Sequence, residues 1–187
     1  MPKSKVLFLG LGRMGFHMSA HLSKSKNIEL FIYNRSKKKE NNWLKSYKAK
    51  KFDFKNSIKL KFDIIITCLK DDHSINQVTK NLLKSACFHR NTIFIDHSTI
   101  SLSQVENLNN LLNKNKIKFL DAPVTGGEEG AKNGKLSVMV GGNPSKFKLA
   151  LPIINTYSKS VVHMGNTGSG QLAKFTNQIL ICGILYS

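Results

Sequence analysis

The chain has 187 residues, of which 41% are hydrophobic and 21% charged, so it can form one packed domain and wholesale disorder is excluded. Cys68, Cys87 and Cys182 lie far apart without CxxC spacing. This pattern predicts neither a disulfide framework nor a zinc site, and a cytoplasmic location is the simplest expectation. No apolar run approaches the roughly 18 residues of a membrane span, so no membrane partner is expected.

The net charge of +18 comes from 29 Lys and Arg against 11 Asp and Glu. Such a balance raises the question of a nucleic-acid partner. The arginines, however, are only Arg13, Arg35 and Arg90, and the lysines are spread through almost every polar segment. Lysine is a point charge without the bidentate fork of arginine. We therefore expect a solvated basic surface and no nucleic-acid partner.

Short apolar runs alternate with longer polar stretches of helical pattern, which is typical of βαβ units. The predicted strands are Val6–Leu9, Leu30–Tyr33, Asp63–Cys68, Thr92–Asp96, Ile117–Leu120, Leu136–Val140 and Ser160–His163. The predicted helices are Arg13–Lys24, Lys37–Ser46, His73–Ser85, Ser101–Lys114 and Ser145–Tyr157, and a last helical pattern runs from Ser169 to the end. The predicted fold is α/β, with a Rossmann-like, doubly wound and mostly parallel sheet. The last helix is largely apolar and stops without a cap, so the chain is expected to be cut short.

A glycine fingerprint follows the first predicted strand and opens the first helix. Its residues are Gly10, Leu11, Gly12, Arg13, Met14 and Gly15, in the pattern GxGxxG. In dinucleotide-binding proteins the three glycines provide a tight turn, close approach of the pyrophosphate, and helix–strand packing. The helix N-terminus then offers unpaired N–H groups to the phosphates. This context predicts a dinucleotide site.

The end of the second predicted strand indicates which dinucleotide binds. NAD-binding proteins carry an acidic residue about 20 positions after the fingerprint, which holds the ribose 2′-OH. Here the uncharged Asn34 lies nineteen residues after Gly15, and Arg35 and Ser36 follow it. Arg35 can pair with a 2′-phosphate, so NADP(H) is predicted over NAD(H), although NAD stays possible. The alternative is that Arg35 is a solvated loop residue.

Two further segments are candidates for chemistry. Paired glycines at Gly126 and Gly127 can form an anion-binding nest, to which the Thr125 hydroxyl adds a donor, or they can simply connect a strand to a helix. On the last helix, Lys174 and Asn177 share a face at i and i+3. A desolvated lysine suits acid–base catalysis, but on the helix pattern alone a lysine that extends to water is favoured.

The segments GLGRMG, DAPVTGGEEGAKNGKLSVMVGG and GSGQLAKFTNQ occur in an order and spacing that resembles the β-hydroxyacid dehydrogenase family. This is the group of 3-hydroxyisobutyrate dehydrogenase, tartronate semialdehyde reductase and the glyoxylate and succinic semialdehyde reductases. The resemblance implies that Thr125, Gly126 and Gly127 bind a small carboxylate substrate. It also implies that Lys174 is the general acid/base and that Asn177 orients the substrate. Cys68, Leu69 and Thr99 would flank the nicotinamide and its ribose.

The implied activity is NAD(P)-dependent hydride transfer between the nicotinamide and a small β-hydroxyacid or semialdehyde acid. Lys70 departs from the family, in which proline is frequent at this position, and Gln178 replaces a frequent second asparagine. The family continues into an all-helical domain. The resemblance therefore implies a dinucleotide-binding domain over residues 1–165, and over 166–187 the first helix of a missing domain. A homo-oligomer is expected only if that domain is present.

Two alternatives stay open. One is an enzyme like 6-phosphogluconate dehydrogenase, and the other is a truncated, non-catalytic NADP-binding module. The dispersed lysines give little support to a third alternative, a DNA- or chromatin-binding protein with the same fold. No metal is expected, because the six histidines form no ligand-like cluster, and a structural role is expected for His97.

Overall fold

The computed structural model describes residues 3–56 and 60–186, which contain nine strands and seven α-helices. The strands are β1 Ser4–Leu9, β2 Ile28–Tyr33, β3 Lys50–Lys51, β4 Phe62–Thr67, β5 Phe88–Asp96, β6 Lys118–Asp121, β7 Val124–Thr125, β8 Leu136–Gly142 and β9 Ser158–Gly165. The helices are α1 Arg13–Ser23, α2 Lys37–Ser46, α3 Asp72–Ser85, α4 Leu102–Lys114, α5 Gly127–Lys132, α6 Pro144–Ile154 and α7 Ser169–Tyr186.

The strands form one sheet in the order β3-β2-β1-β4-β5-β6-β8-β7, and β9 pairs with β8. The pairs from β3 to β6 are all parallel, as is β8 with β9. The pairs β6–β8 and β7–β8 are antiparallel. The chain runs outward from β1 in one direction and then resumes at β4 on its other side. This reversal confirms the Rossmann-like fold and opens a crevice at the carboxyl ends of β1 and β4.

Strand β1 shows why the central strands are continuously apolar. Val6 and Phe8 pack into the core on one face of the sheet, and Leu7 and Leu9 pack into the core on the other, all four fully buried. Helices cover both faces, so each strand position needs an apolar side chain. On one side this layer includes Trp43 of α2, whose Nε1–H donates to the Phe16 carbonyl at 3.0 Å.

Three short elements, β3, β7 and α5, lie outside the predicted elements. The α5 segment GEEGAK has no apolar periodicity, and the strands β3 and β7 have only two residues each. Helix α6 ends at Ile154, three residues before the predicted end at Tyr157. Strand β5 begins at Phe88, four residues before the predicted start at Thr92.

Helix α7 packs on the sheet only along its first part. Leu172 is 52% exposed, and Ile179, Leu180 and Ile184 are 61–75% exposed. Of the helices described, none has the combination of length and hydropathy needed to cross a membrane.

Candidate active site

Two of the three fingerprint glycines are required by close backbone contacts. Gly10 has a φ of +105°, and a Cβ there would lie 2.3 Å from the Cys68 carbonyl oxygen. A Cβ at Gly15 would lie 1.9 Å from the Gly10 carbonyl oxygen. Around Gly12, by contrast, a Cβ would meet nothing within 4 Å. The turn is therefore closed against the sheet at Gly10 and Gly15 and open outward at Gly12.

The N-terminus of α1 has the features of an anion site. Gly12 is its N-cap, no side chain caps its first N–H groups, and no acidic residue lies in its first turn. Arg13 is exposed at the first helical position. Uncapped N–H groups, the helix dipole and this guanidinium all attract anions. The turn therefore fits the diphosphate of a dinucleotide.

Asn34 at the end of β2 shapes this turn through its own hydrogen bonds. Its side-chain Oδ1 accepts from the Leu11 N–H at 2.9 Å, and its Nδ2 donates to the Ser36 carbonyl at 3.1 Å. The Asn34 N–H donates to Oε2 of the buried Glu40 at 3.0 Å. Asn34 thus fastens the glycine turn to the loop that carries Arg35, in addition to lining the cleft beside them.

A first cleft, called the arginine cleft, lies between the glycine turn, the end of β2 and the start of α3. Its lining residues are Leu9, Gly10, Gly12, Tyr33, Asn34, Arg35, Ser36, Lys39, Cys68, Leu69, Lys70, Ser74, Gln77 and Val78. Arg35 and Ser36 are here as predicted, and Lys39 joins them. Ser74 and Gln77 were not predicted, because no motif marks them. The signal that could have found them is Asp71, whose N-cap bond to Ser74 starts α3 at this edge.

A second cleft, called the lysine cleft, lies beside the first. Its lining residues are Met14, Cys68, Leu69, Lys70, His97, Ser98, Thr99, Val124, Thr125, Gly126, Gly127 and Lys174. These residues come from five separate segments of the chain. The structure therefore brings the Thr125–Gly127 segment, the strand ends at Cys68, Leu69 and Thr99, and the last-helix lysine to one place. Asn177 is not among the lining residues, and its buried Nδ2 has no hydrogen-bond partner among the described residues.

A buried carboxylate holds α7 in this position. Asp121, at the end of β6, accepts from the Gly168 N–H at 2.7 Å and from the Gln171 N–H at 3.0 Å. The Gln171 side chain in turn donates to the Ser98 carbonyl at 2.7 Å. A Cβ at Gly170 would lie 2.5 Å from the Met139 carbonyl oxygen, so only glycine allows this approach. The first turn of α7 is thus fastened to β5, β6 and β8.

Lys174 lies one turn after Gln171 and is half-buried. This partial burial lowers the pKa of its ammonium below the usual 10.5, because desolvation disfavours the charged form. Among the residues that the structure describes, none forms a hydrogen bond or ion pair with the Lys174 ammonium. Its amino group is therefore available to a bound molecule in the lysine cleft.

The floor of the lysine cleft is a set of buried polar groups on β4, β5 and the adjoining loops. His97 Nδ1 lies 2.5 Å from the Ala122 carbonyl, which can only accept, so Nδ1 carries the proton. His97 Nε2 then accepts from the Tyr157 hydroxyl at 2.8 Å. Burial lowers the pKa of His97 to about 4, so the ring is neutral. These bonds account for His97 as a structural residue.

Beside His97, the buried Asp96 adds a carboxyl group to this floor. It accepts from the Thr67 hydroxyl at 2.7 Å and from the Ser98 hydroxyl at 2.6 Å. Burial raises the pKa of Asp96 to about 6, although these hydrogen bonds oppose the shift. The strand ends that face the cleft are thereby held in place. Within residues 3–56 and 60–186 no group of three or more His, Cys, Asp or Glu side chains could hold a metal ion.

Comparison with known proteins gives the family. Residues 5–165 match the sequence model of the NAD binding domain of 6-phosphogluconate dehydrogenase. The chain belongs to this family. The match runs from Lys5 in β1 to Gly165 at the end of β9.

Individual relatives agree with this family. An uncharacterized oxidoreductase of Shewanella frigidimarina is 37% identical over 97% of this chain and 62% of its own length. A probable mitochondrial 3-hydroxyisobutyrate dehydrogenase of Dictyostelium discoideum is 32% identical over 93% of this chain and 54% of its own. The structure of 3-hydroxyisobutyrate dehydrogenase of Mycobacterium tuberculosis with L-serine has a TM-score of 0.86 at 29% identity, over 96% of this chain and 60% of that one.

These similarities confirm the predicted resemblance to 3-hydroxyisobutyrate dehydrogenase-like proteins. The chain spans about three-fifths of the relatives that it matches. The domain boundary at residue 165 and the role of each individual site residue stay predictions.

Replacing Asp121 by Asn tests the anchoring of α7. The amide keeps the shape but presents an N–H₂ group to a backbone N–H, so we expect the free energy of unfolding to fall by about 2 kcal/mol. Urea denaturation measures this loss. Asp63→Asn is the matched control, because the exposed Asp63 also accepts a backbone N–H, from Lys5 at 2.9 Å. We expect a loss of about 0.5 kcal/mol or less there. Equal losses in the two variants would contradict the anchoring role.

Proposed function

We propose that this chain supplies the cofactor domain and the catalytic lysine of an NADP(H)-dependent oxidoreductase acting on small β-hydroxyacids or semialdehyde acids. The observation that carries the proposal is the lysine cleft. It combines an available amine on Lys174, the glycine segment Thr125–Gly127, and strand ends that adjoin a dinucleotide turn. The similarity to 3-hydroxyisobutyrate dehydrogenases supports the same chemistry.

The dinucleotide would be held by its anionic groups. The uncapped N-terminus of α1 and Arg13 would bind the diphosphate, and Arg35, Ser36 and Lys39 the 2′-phosphate. Among the described residues no Asp or Glu lines the arginine cleft, and Glu40, behind Asn34, is paired with Lys37. When bound, the nicotinamide supplies or accepts the hydride.

The substrate carboxylate would be received by the Thr125 hydroxyl and the backbone N–H groups of the glycine segment. In the oxidative direction Lys174 Nζ, in its neutral form, accepts the proton of the substrate hydroxyl. In the reductive direction its ammonium donates that proton back to the developing alkoxide. The lowered pKa of Lys174 raises the neutral fraction available for the first step.

The preference for NADP(H) is tested by titrating the chain with NADPH and with NADH and following ligand fluorescence. We expect tighter binding of NADPH. Arg35→Ala should weaken NADPH about tenfold, as expected for loss of a charge-assisted hydrogen bond, and leave NADH unchanged. Lys38→Ala is the control, because it removes the charge of a neighbouring exposed lysine that does not line the cleft. A preference for NADH, or equal losses for both cofactors in Arg35→Ala, would contradict the assignment.

The catalytic role of Lys174 is tested by following NADPH oxidation with glyoxylate, succinic semialdehyde and tartronate semialdehyde, and NADP⁺ reduction with 3-hydroxyisobutyrate. Lys174→Met should lower turnover about a hundredfold or more, because the proton donor of the reduction and the proton acceptor of the oxidation are lost, and leave NADPH affinity unchanged. Lys159→Met, on the exposed side of β9, should retain full turnover.

Turnover that survives Lys174→Met would contradict the catalytic role. A chain that binds NADPH but turns over none of the four acids would instead indicate a cofactor-binding module that needs the rest of its protein.

A further inference from the structure

Lys70 occupies the junction between the two clefts. Cys68, Leu69 and Lys70 line both of them, and Lys70 is the one cation that the described parts of the two linings share. It directly follows the loop that closes against the glycine turn at Gly10. A group bound where the two clefts meet therefore lies next to this residue.

The backbone that carries Lys70 is fixed, whereas its side chain is exposed. The Cys68 N–H donates to the Leu9 carbonyl at 3.0 Å, and the Leu69 N–H donates to the Ser98 hydroxyl at 2.9 Å. These bonds tie the loop to β1 on one side and to the end of β5 on the other. Since the side chain is exposed, the ammonium can reach toward either cleft.

The acidic neighbours of Lys70 accept their hydrogen bonds from other residues, although the pKa of Asp71 is lowered by its Ser74 hydrogen bonds and, after them, by the Lys70 charge. The Asp71 carboxylate accepts from the Ser74 N–H at 2.8 Å and caps α3. The Asp72 carboxylate accepts from the N–H of Ser101 at 3.1 Å and from its hydroxyl. Among residues 3–56 and 60–186, none forms an ion pair with Lys70.

The charged side chains that line the two clefts are all cationic, whereas Asp71, which follows Lys70 in the chain, lies outside both linings. The arginine cleft contributes Arg35 and Lys39, and the lysine cleft contributes Lys174. In the described residues neither lining contains Asp or Glu. An anion bound where the clefts meet would be attracted from both sides, in a concave site where such attraction is strengthened.

We propose that Lys70 forms an anion subsite at this junction, filled by an anionic oxygen group of a bound molecule. The group is either a second carboxylate of the substrate, which would make a dicarboxylic hydroxyacid the favoured substrate class, or a phosphate of the dinucleotide. The inference rests on the proposed function, because that function places both molecules in these clefts.

The test compares Lys70→Ala with Lys80→Ala, which removes an exposed lysine of α3 that lines neither cleft, and with Lys70→Arg. One arm measures NADPH affinity by fluorescence titration. The other titrates the NADP⁺-saturated chain with succinate and with butyrate, which has the same carbon count and one carboxylate fewer, and follows binding by NMR.

If the anion at the junction is a substrate carboxylate, Lys70→Ala should weaken succinate binding about fivefold and leave the affinities for butyrate and NADPH unchanged. If the anion is a phosphate of the dinucleotide, Lys70→Ala should weaken NADPH binding about fivefold and change the affinities for the two acids equally. In either case Lys70→Arg should restore binding and Lys80→Ala should have no effect. Unchanged affinity for NADPH and both acids in Lys70→Ala would overturn the subsite while the proposed function stands. Failure of the wild-type chain to bind NADPH would instead overturn the proposed function.

Discussion

The site depends on the capture of the first turn of α7 by the Asp121 carboxylate. A helix that begins at a sheet edge leaves its first N–H groups without partners, and burying them uncompensated is costly. Asp121 accepts two backbone N–H groups there, from Gly168 and Gln171, and is itself fully buried at the end of β6. Because the helix is rigid, fixing this turn also fixes Lys174 one turn later. Lys174 is thereby tied to the sheet that carries the glycine turn.

A second constraint brings the two clefts together. The glycine turn closes onto Cys68 so tightly that a side chain at Gly10 cannot be accommodated. This contact joins the ends of β1 and β4, which is the point where the strand order reverses. The same loop continues into Leu69 and Lys70, which face both clefts. A dinucleotide that crosses this point would pass from the anion-binding helix start to the strand ends beside Lys174.

Features that depend on local pattern could be predicted from the sequence. The parallel sheet followed from apolar runs of strand length, and the dinucleotide turn from glycines placed between a strand and a helix. Helix α2 lies at Lys37–Ser46 as predicted, since Ser36 caps it and Trp43 is buried. The elements β7 and α5 were missed, because GEEGAK has no apolar period and its conformation is set by packing against α1 and β8.

Features that depend on tertiary contacts could not be predicted from the sequence. The helical pattern around Lys174 alone favoured a lysine extended to water. The family resemblance assigned Lys174 to the site, and the Asp121 contacts give the physical reason that it lines the cleft with Thr125. Asn34 was assigned to the cofactor from its spacing, yet its side-chain bond to the Leu11 N–H also makes it a structural part of the turn. Such a bond joins residues 23 positions apart, so no local pattern reveals it.

The pKa of Lys174 tests the central claim most directly, that one amine faces both the substrate segment and the nicotinamide. It can be measured by NMR of ¹³C-labelled lysine side chains, with Lys174→Met to assign the signal, in the free chain and with NADP⁺ or NADPH. The account predicts a pKa below 10.5 in the free chain, and a lower value with NADP⁺ than with NADPH, because only the oxidised ring is positively charged. An ordinary lysine pKa that is insensitive to the oxidation state of the cofactor would contradict it.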